Sequence, residues 1–209
     1  MNGKLPDNGR WQYGKMVNST ICSSSRRAIM ETKNRRNGEN AKRGFYGTCL
    51  VLSELVKWPK PAYEASLAYG NNPDWDLFVS NPVNDRGRKV QVKTCGGGNF
   101  PEWRIAGGNS SWERRKRWVG DERFYALVDI RKHSQDGSKP DFYVLPSRTV
   151  VEHVEKADKA WMAKRDLTHH DQFRSFFFSD LHSNKELRDF FPESRAYLNN
   201  WRLLGLDDP

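Results

Sequence analysis

The stretch WDLFVSNPVNDRGRKVQVKT, residues 75–94, decides the fold of this chain. It opens with strand-forming residue types, passes through the turn composition NDRG and closes on a segment of strict alternation. Because successive strand residues point to opposite faces, one face of that segment carries two valines and the other face is polar. The polar face consists of Lys89, Gln91 and Lys93. The stretch therefore predicts a β-hairpin whose second strand presents a polar row.

Elements on both sides extend this hairpin into an α/β domain. Each element is identified by the helical or strand spacing of its apolar residues and by the Gly, Pro or Asn residues that flank it. Further strands are predicted at residues 62–69, 103–106, 124–130 and 141–145, and helices at 44–58 and 148–164. The fold class that follows is α/β, a mixed β-sheet flanked by helices.

Three segments are expected along the chain. Residues 1–43 are polar and basic without apolar periodicity, which predicts a flexible basic arm. Residues 44–165 contain the predicted sheet and form the α/β core. Residues 166–209 include a capping-box spacing between Ser183 and Glu186, which predicts a helical C-terminal extension.

Composition limits the classes of protein that fit. Hydrophobic residues make up 36% of the 209 residues, with eight Trp among them, so a globally disordered chain is excluded. No apolar run reaches the roughly 18 residues that a membrane helix needs, so no membrane partner is expected. Three widely spaced cysteines without a Cys-x-x-Cys pair predict a reduced, cytoplasmic protein, with nucleoid association as one option.

Charge points to a polyanionic partner. The net charge is +9, and residues 1–43 hold ten Lys or Arg against three acids. Residues 86–117 hold nine Lys or Arg against two acids. Two such clusters favour nucleic acid as the partner, while solvated basic stretches remain the simpler alternative.

The hairpin brings together side chains that suit a hard cation. Period-two alternation places Gln91 and Lys93 on one strand face, and Asp76 at the end of the same face if the two strands pair. Asp76 then offers a carboxylate and Gln91 an amide oxygen, which suit Mg²⁺ or Mn²⁺. Asp74 is a competing choice for the carboxylate. The alternative is an exposed strand face with no metal.

The order of helix, strand, strand with Asp76, hairpin and strand with Gln91 and Lys93 resembles the PD-(D/E)XK nuclease superfamily. That superfamily includes restriction endonucleases and Holliday-junction resolvases, and the resemblance covers about 50 residues closely. It implies a restriction-endonuclease-like core and a metal-dependent endonuclease that hydrolyses phosphodiester bonds in DNA. Lys93 would orient or activate the attacking water, or stabilise developing charge.

The resemblance also implies further site residues. The backbone carbonyl of Val92 would add a metal ligand. The superfamily often has a Glu on the first helix, where this chain has Thr48; Glu54 faces elsewhere, and Glu64 on the first strand is the better candidate for that carboxylate. The usual acid two residues before the lysine is here Gln91. Members of the superfamily often dimerise to cut two strands, so a homodimer is suggested.

The segment SWERRKRW, residues 111–118, adds a basic quartet between two tryptophans. It predicts phosphate contacts with a ring stacked on an exposed base, or equally a solvated segment with buried tryptophans. The predicted nucleic-acid-binding residues are Lys89, Arg114, Arg115, Lys116 and Arg117.

Two further classes of function remain open at this point. One is a non-catalytic nucleic-acid-binding protein on a decayed nuclease fold. The other is an interaction module that uses the C-terminal aromatic residues and has no affinity for nucleic acid. Glu64 or Glu54 within reach of Asp76 would favour the enzyme, and an isolated Asp76 would favour the binding protein.

Overall fold

The computed structural model describes residues 37–57, 63–68, 72, 74–165, 173–183 and 188–206. The chain divides into two units, residues 1–42 and 43–209. In the first unit, residues 37–42 are helical, and residues 1–36 of the predicted basic arm lie outside the described residues. All elements that follow belong to the second unit.

A mixed five-stranded sheet forms the centre of the second unit. Its strands, in chain order, are β1 (Glu64–Leu67), β2 (Leu77–Asn81), β3 (Arg86–Cys95), β5 (Arg123–Asp129) and β6 (Asp141–Pro146). Their spatial order is β1-β2-β3-β5-β6. Only the β3–β5 pair is parallel; the other neighbours are antiparallel. A separate two-stranded sheet pairs β4 (Trp103–Gly107) with β7 (Phe173–Phe176).

Helices cover both faces of the central sheet. They are α1 (residues 43–56), α2 (Asn109–Arg117), α3 (Arg131–Asp136) and α4 (Ser147–Lys164). The predicted α/β class, a mixed sheet flanked by helices, is therefore confirmed. β5 is almost continuously apolar because it has a paired strand on each side and is buried on both faces.

α1 packs on the face of β3 that carries the valines. Val51 and Leu55 of α1 share one hydrophobic cluster with Val90 and Val92. The helix approaches the strand so closely at Gly47 that a Cβ atom there would lie 1.8 Å from Thr94 Oγ1. Glycine is thus required there for the helix to approach the sheet.

The opposite face carries the polar row and a second hydrophobic cluster. α4 contributes the stripe Val150, Val151, Val154 and Ala157, which is the spacing of one helical face. Trp112 from α2, Trp103 from β4 and Phe176 from β7 complete this cluster. The crossover from β3 to the parallel β5 contains β4 and α2, so the chain returns over the polar row before it re-enters the sheet.

The C-terminal region differs from the predicted helical extension. Its described residues form β7 and two 3₁₀ helices, Ser194–Ala196 and Trp201–Leu204. The aromatic run at 176–178 and Trp201 are buried in the two clusters, so burial of these rings rather than helix propensity organises the segment. The Ser183–Glu186 capping box extends into residues 184–187, outside the described residues.

The end of the described chain is fastened to the β2–β3 hairpin. Arg88 Nε donates to the carbonyl of Leu204 at 2.7 Å, and Asn81 Nδ2 donates to the carbonyl of Leu206 at 2.7 Å. Arg86 reaches Gly205 in the same way. Part of the positive cluster at 86–117 therefore binds this chain's own backbone. Within the described residues, no helix combines the length and apolarity needed to cross a membrane.

Candidate functional site

Asp76 lies directly before β2, opposite the middle of β3. Its backbone N–H donates to the carbonyl of Val90 at 2.9 Å. Its side-chain Oδ2 accepts two hydrogen bonds, from Gln91 Nε2 at 2.5 Å and from the backbone N–H of Val92 at 2.7 Å. The hairpin register pairs Leu77 with Val90, and this register brings Asp76 against Gln91. The structure thus brings together the carboxylate and the amide that the sequence placed on one face.

An arginine from α2 completes the cluster. Arg115 Nη1 donates to Gln91 Oε1 at 2.7 Å and to the carbonyl of Asp74 at 3.4 Å. Gln91 is 4% exposed and Arg115 is 7% exposed. The contacts therefore form a polar chain from α2 through β3 to the start of β2, and its Arg115 and Gln91 members are buried.

Lys93 lies on the same face, two residues beyond Gln91. Desolvation in its half-buried position lowers the pKa of the Lys93 ammonium to about 8, and the positive charge of Arg115 acts in the same direction. The Asp76 carboxylate opposes this shift. A lysine with a pKa this near neutrality, beside a carboxylate, is a common feature of functional sites.

Asp74 belongs to the same cluster. Its carboxylate oxygen Oδ1 is buried and has no hydrogen-bond partner. Tyr125, the register partner of Gln91 in β5, lies within electrostatic reach of both Asp74 and Arg115. Burial is the main cause that raises the pKa of Tyr125; Asp74 adds to the rise, and Arg115 opposes it. Two carboxylates, rather than one, therefore border the polar row.

Glu64 does not join this cluster. The β1–β2 register pairs Glu64 with Ser80, whereas Ala68 is the residue that bonds the carbonyl of Asp76. Glu64 is four residues further along β1, which corresponds to roughly 13 Å. Its side chain is exposed. The assignment of Glu64 as an auxiliary catalytic and metal-binding carboxylate is corrected, because the pairing register carries it past the site.

The first helix supplies no carboxylate either. Thr48 is buried, and its hydroxyl donates to the carbonyl of Gly44 at 3.1 Å. Glu54 accepts a hydrogen bond from Lys139 at 2.7 Å. Because α1 packs on the valine face of β3, Glu54 lies across the sheet from Gln91 and Lys93. Asp74 is thus the second carboxylate of the cluster.

The oxygen donors of this cluster suit a hard cation. No group of three His, Cys, Asp or Glu side chains with metal-binding geometry occurs among the described residues. The cluster does contain the carboxylates of Asp74 and Asp76, and the buried, unpartnered Asp74 Oδ1 is an atom that a cation would satisfy. The Val92 carbonyl points to the same edge as its N–H, because one strand residue directs both groups to one neighbour. These residues fit Mg²⁺ or Mn²⁺.

Gln91 does not direct its amide oxygen toward Asp76, as a shared metal site would require. The atom that contacts Asp76 is the amide nitrogen, while the amide oxygen contacts Arg115. A Gln91 oxygen that shared a cation with Asp76 would need the amide to turn over. In this structure Gln91 bridges Asp76 and Arg115 by hydrogen bonds.

The basic side chains of α2 divide into one buried and three outer residues. Arg117 is exposed, Arg114 is half-buried, and Lys116 forms a 2.6 Å ion pair with Glu113. Arg115 points inward, so its assignment to nucleic-acid contact is corrected: a guanidinium held by Gln91 and Asp74 is not presented to a ligand surface. Lys89 is half-buried and continues the polar row of β3.

The tryptophans of this segment are core residues. Trp112 is 4% exposed and Trp118 is 5% exposed, so neither ring presents a face on which a base could stack. The C-terminal aromatic rings at 176–178 are buried in the same cluster, which removes the basis for an interaction module built on them.

One sequence signal for the role of Arg115 was available. Trp112, Arg115 and Trp118 follow each other at intervals of three residues, which places Arg115 on the helix face between two core rings. A charged residue at such a position is buried and needs partners inside the protein. That spacing separates Arg115 from its three basic neighbours.

Fold and site together define a mixed α/β protein with a partly buried carboxylate–amide–lysine cluster at the junction of β2 and β3. No protein-family model and no curated protein sequence matches this chain. A solved structure of a bacterial homing endonuclease, I-Ssp6803I, is similar over 79% of this chain and 91% of that chain. The sequence identity is 15% and the TM-score is 0.40. A likeness of this size assigns neither a family nor an activity.

Proposed function

We propose that this protein is a metal-dependent endonuclease that hydrolyses phosphodiester bonds in DNA, as its resemblance to the PD-(D/E)XK superfamily implies. The observation that carries the proposal is the placement of Lys93, with its pKa lowered to about 8, on the same strand face as Gln91 and beside Asp76. Desolvation of the half-buried Lys93 ammonium costs stability, which a functional site tolerates.

Each residue of the cluster has a defined role in this proposal. Asp76 and Asp74 would hold the cation through carboxylate oxygens, with the Val92 carbonyl as a further candidate ligand. When bound, Mg²⁺ or Mn²⁺ lowers the pKa of coordinated water and neutralises phosphate charge. Lys93 orients the attacking water or stabilises the charge that develops on the phosphate.

The outer basic residues of α2 position the DNA in this proposal. Arg114, Lys116 and Arg117 belong to the helix that inserts Arg115 into the cluster. In this proposal, a phosphate that these side chains bind is directed toward the carboxylates. Lys89 extends the positive charge along β3. Contacts of this kind fix the register of the duplex and carry no sequence information.

The alternative is a non-catalytic DNA-binding protein on the same fold. The observation that favours it is Arg115, which holds Gln91 Oε1 where the superfamily pattern has a metal-binding acid. In that protein the outer basic residues bind DNA and the cluster is structural. Binding without cleavage distinguishes this alternative from the enzyme.

Cleavage of supercoiled plasmid with Mg²⁺ or Mn²⁺ tests the proposal. An endonuclease nicks or linearises a closed circle, whereas an exonuclease requires an end. Linear, branched and single-stranded DNA, with a matched RNA, then define the substrate. We expect conversion of the plasmid by the wild-type protein and none by Lys93→Met.

Matched variants make the result interpretable. Lys159→Met removes an exposed lysine of α4 that is paired with Glu155, and it should cleave as the wild type does. Equal cleavage by wild type and folded Lys93→Met would refute the site. DNA binding without cleavage under every metal condition would establish the binding protein instead.

A further inference from the structure

The donor and acceptor properties of three side chains fix the orientation of the Gln91 amide. The Arg115 guanidinium only donates hydrogen bonds, and an ionised Asp76 carboxylate only accepts them. Gln91 lies between them, with Oε1 at 2.7 Å from Arg115 and Nε2 at 2.5 Å from Asp76. The reverse orientation would place the amide NH₂ against the guanidinium and the oxygen against the carboxylate. Both contacts would then be repulsive.

We propose that Arg115 is a positioning residue of the site: its guanidinium holds the Gln91 amide with its nitrogen toward Asp76, and thereby holds the Asp76 carboxylate in place. This inference rests on the proposed function for its catalytic meaning. Its structural content is the chain Arg115–Gln91–Asp76, in which α2 acts on the Asp76 carboxylate through the Gln91 amide.

Burial makes this control effective. Arg115 and Gln91 are both almost completely enclosed, so water does not compete for their hydrogen bonds. Arg115 also donates to the Asp74 carbonyl, two residues before Asp76. The same guanidinium therefore fixes the backbone on one side of Asp76 and, through Gln91, its side chain. Loss of Arg115 should free the Gln91 amide to rotate.

Amide NMR of the full-length, metal-free protein tests this inference without any catalytic assay. With ¹⁵N-labelled glutamine side chains, the Gln91 NH₂ group should exchange with water at least tenfold more slowly than that of Gln135, which is exposed. In Arg115→Met, which keeps length and apolar bulk but loses every donor, we expect Gln91 exchange to rise at least tenfold. Arg115→Gln, which is polar but too short to reach Gln91, should behave in the same way and serves if the Met variant does not fold.

Arg131→Met is the matched control. Arg131 is a half-buried arginine of α3, bonded to Asp129 at 2.7 Å and outside the chain of contacts that joins Arg115, Gln91 and Asp76. Its loss should lower stability but leave the Gln91 exchange rate unchanged. Wild-type Gln91 exchange as fast as that of Gln135 would overturn the inference, and so would unchanged Gln91 exchange in a folded Arg115 variant.

DNA cleavage adds a readout that separates this inference from the proposed function. If Arg115 positions the site without touching DNA, its replacement should lower kcat at saturating DNA. The Kd for DNA should stay within twofold of the wild-type value. A raised Kd with unchanged kcat would assign Arg115 to DNA binding and overturn its positioning role. A wild-type protein that never cleaves would end the nuclease proposal, and the exchange measurement would still decide the role of Arg115.

Discussion

Asp76 Oδ2 accepts a hydrogen bond from the backbone N–H of Val92 at 2.7 Å, so the carboxylate takes a position that a further strand residue would otherwise occupy. β2 begins at Leu77, and β3 continues beyond it. The Asp76 side chain therefore satisfies the β3 backbone where the strand pairing ends. The same carboxylate is the first candidate ligand for a cation, so it serves the hairpin and the site at once.

Asp76→Asn should separate these two roles. Asparagine keeps a side-chain oxygen for the Val92 N–H but removes the negative charge, so the fold should persist while Mn²⁺ affinity falls at least tenfold, about 1.4 kcal/mol. Isothermal titration calorimetry measures this. Asp121→Asn, at a fully solvated carboxylate, is the control and should bind Mn²⁺ as the wild type does. Equal Mn²⁺ affinity in wild type and Asp76→Asn would remove Asp76 from the metal site.

Lys93→Met should abolish cleavage and stabilise the protein at pH 7. Desolvation holds the pKa of Lys93 near 8, below its ordinary value of 10.5, so keeping the ammonium charged at pH 7 costs the folded state free energy. One pKa unit corresponds to about 1.4 kcal/mol, and partial exposure reduces the effect, so a gain of about 1–3 kcal/mol is expected. Urea denaturation at pH 7 measures the gain.

The pH dependence of that gain has a definite sign. Below pH 8, Lys93 is charged in both the folded and the unfolded chain, and the wild type bears the full cost. Between pH 8 and 10.5 the folded chain has lost the proton that the unfolded chain retains, so wild-type stability rises with pH relative to Lys93→Met. The advantage of the variant should therefore shrink by pH 10. Lys159→Met should show no such trend, and a constant advantage for Lys93→Met would contradict the lowered pKa.

Gln91→Glu should make the metal-free protein depend on a cation. The substitution replaces the amide nitrogen beside Asp76 by a carboxylate oxygen, and two carboxylates in contact raise each other's pKa unless a metal lies between them; Arg115, which contacts the other side-chain oxygen at position 91, opposes this rise in part. The raised pKa of the pair predicts stability that falls as pH rises above about 5 without metal. Mn²⁺ should bind at least tenfold more tightly than to wild type, about 1.4 kcal/mol.

Thermal unfolding with and without Mn²⁺ tests the Gln91→Glu variant. Gln91→Met removes the hydrogen-bonded bridge without adding charge, so it isolates the loss of the bridge from the gain of a ligand. A Mn²⁺-induced rise in Tm no larger for Gln91→Glu than for wild type would place the cation away from position 91.

The sequence was sufficient for the parts of the site that depend on local periodicity. Alternation along β3 put Gln91 and Lys93 on one face, and a single short turn set the register that brought Asp76 to them. The α/β class followed from the same local patterns, because strand and helix periods are legible within each segment.

Contacts between distant elements were not predictable in the same way. Glu64 was misplaced because the β1–β2 register depends on which residues pair, and β1 is too exposed for its apolar pattern to fix that register. Arg115 enters the site only because the β3–β5 crossover lays α2 over the polar row. The C-terminal rings fill core volume left by other elements, which local propensity does not report.

The basic residues near the N-terminus should supply affinity for DNA, whereas those of α2 should position the DNA for cleavage. Residues 1–36 contain eight Lys or Arg, and their role in binding stays a prediction. Each phosphate contact contributes about −0.9 to the slope of log K against log salt on duplex DNA. If about six of these residues contact phosphates, their replacement by Gln should flatten the slope by roughly 5. The cut pattern at low salt should persist. Fluorescence anisotropy over a salt series measures the slope.

The outer residues of α2 should behave in the opposite way. Replacing Arg114, Lys116 and Arg117 by Ser, with Arg115 kept so that the Gln91 bridge survives, should flatten the salt slope by less than 3. Cleavage at saturating DNA should fall at least tenfold, because a phosphate shifted by about 1 Å no longer meets the carboxylates productively. Single-turnover cleavage with saturating protein separates this effect from weaker binding. If the triple variant cleaves at the wild-type rate once DNA is saturated, α2 contributes affinity alone and the site is positioned by other residues.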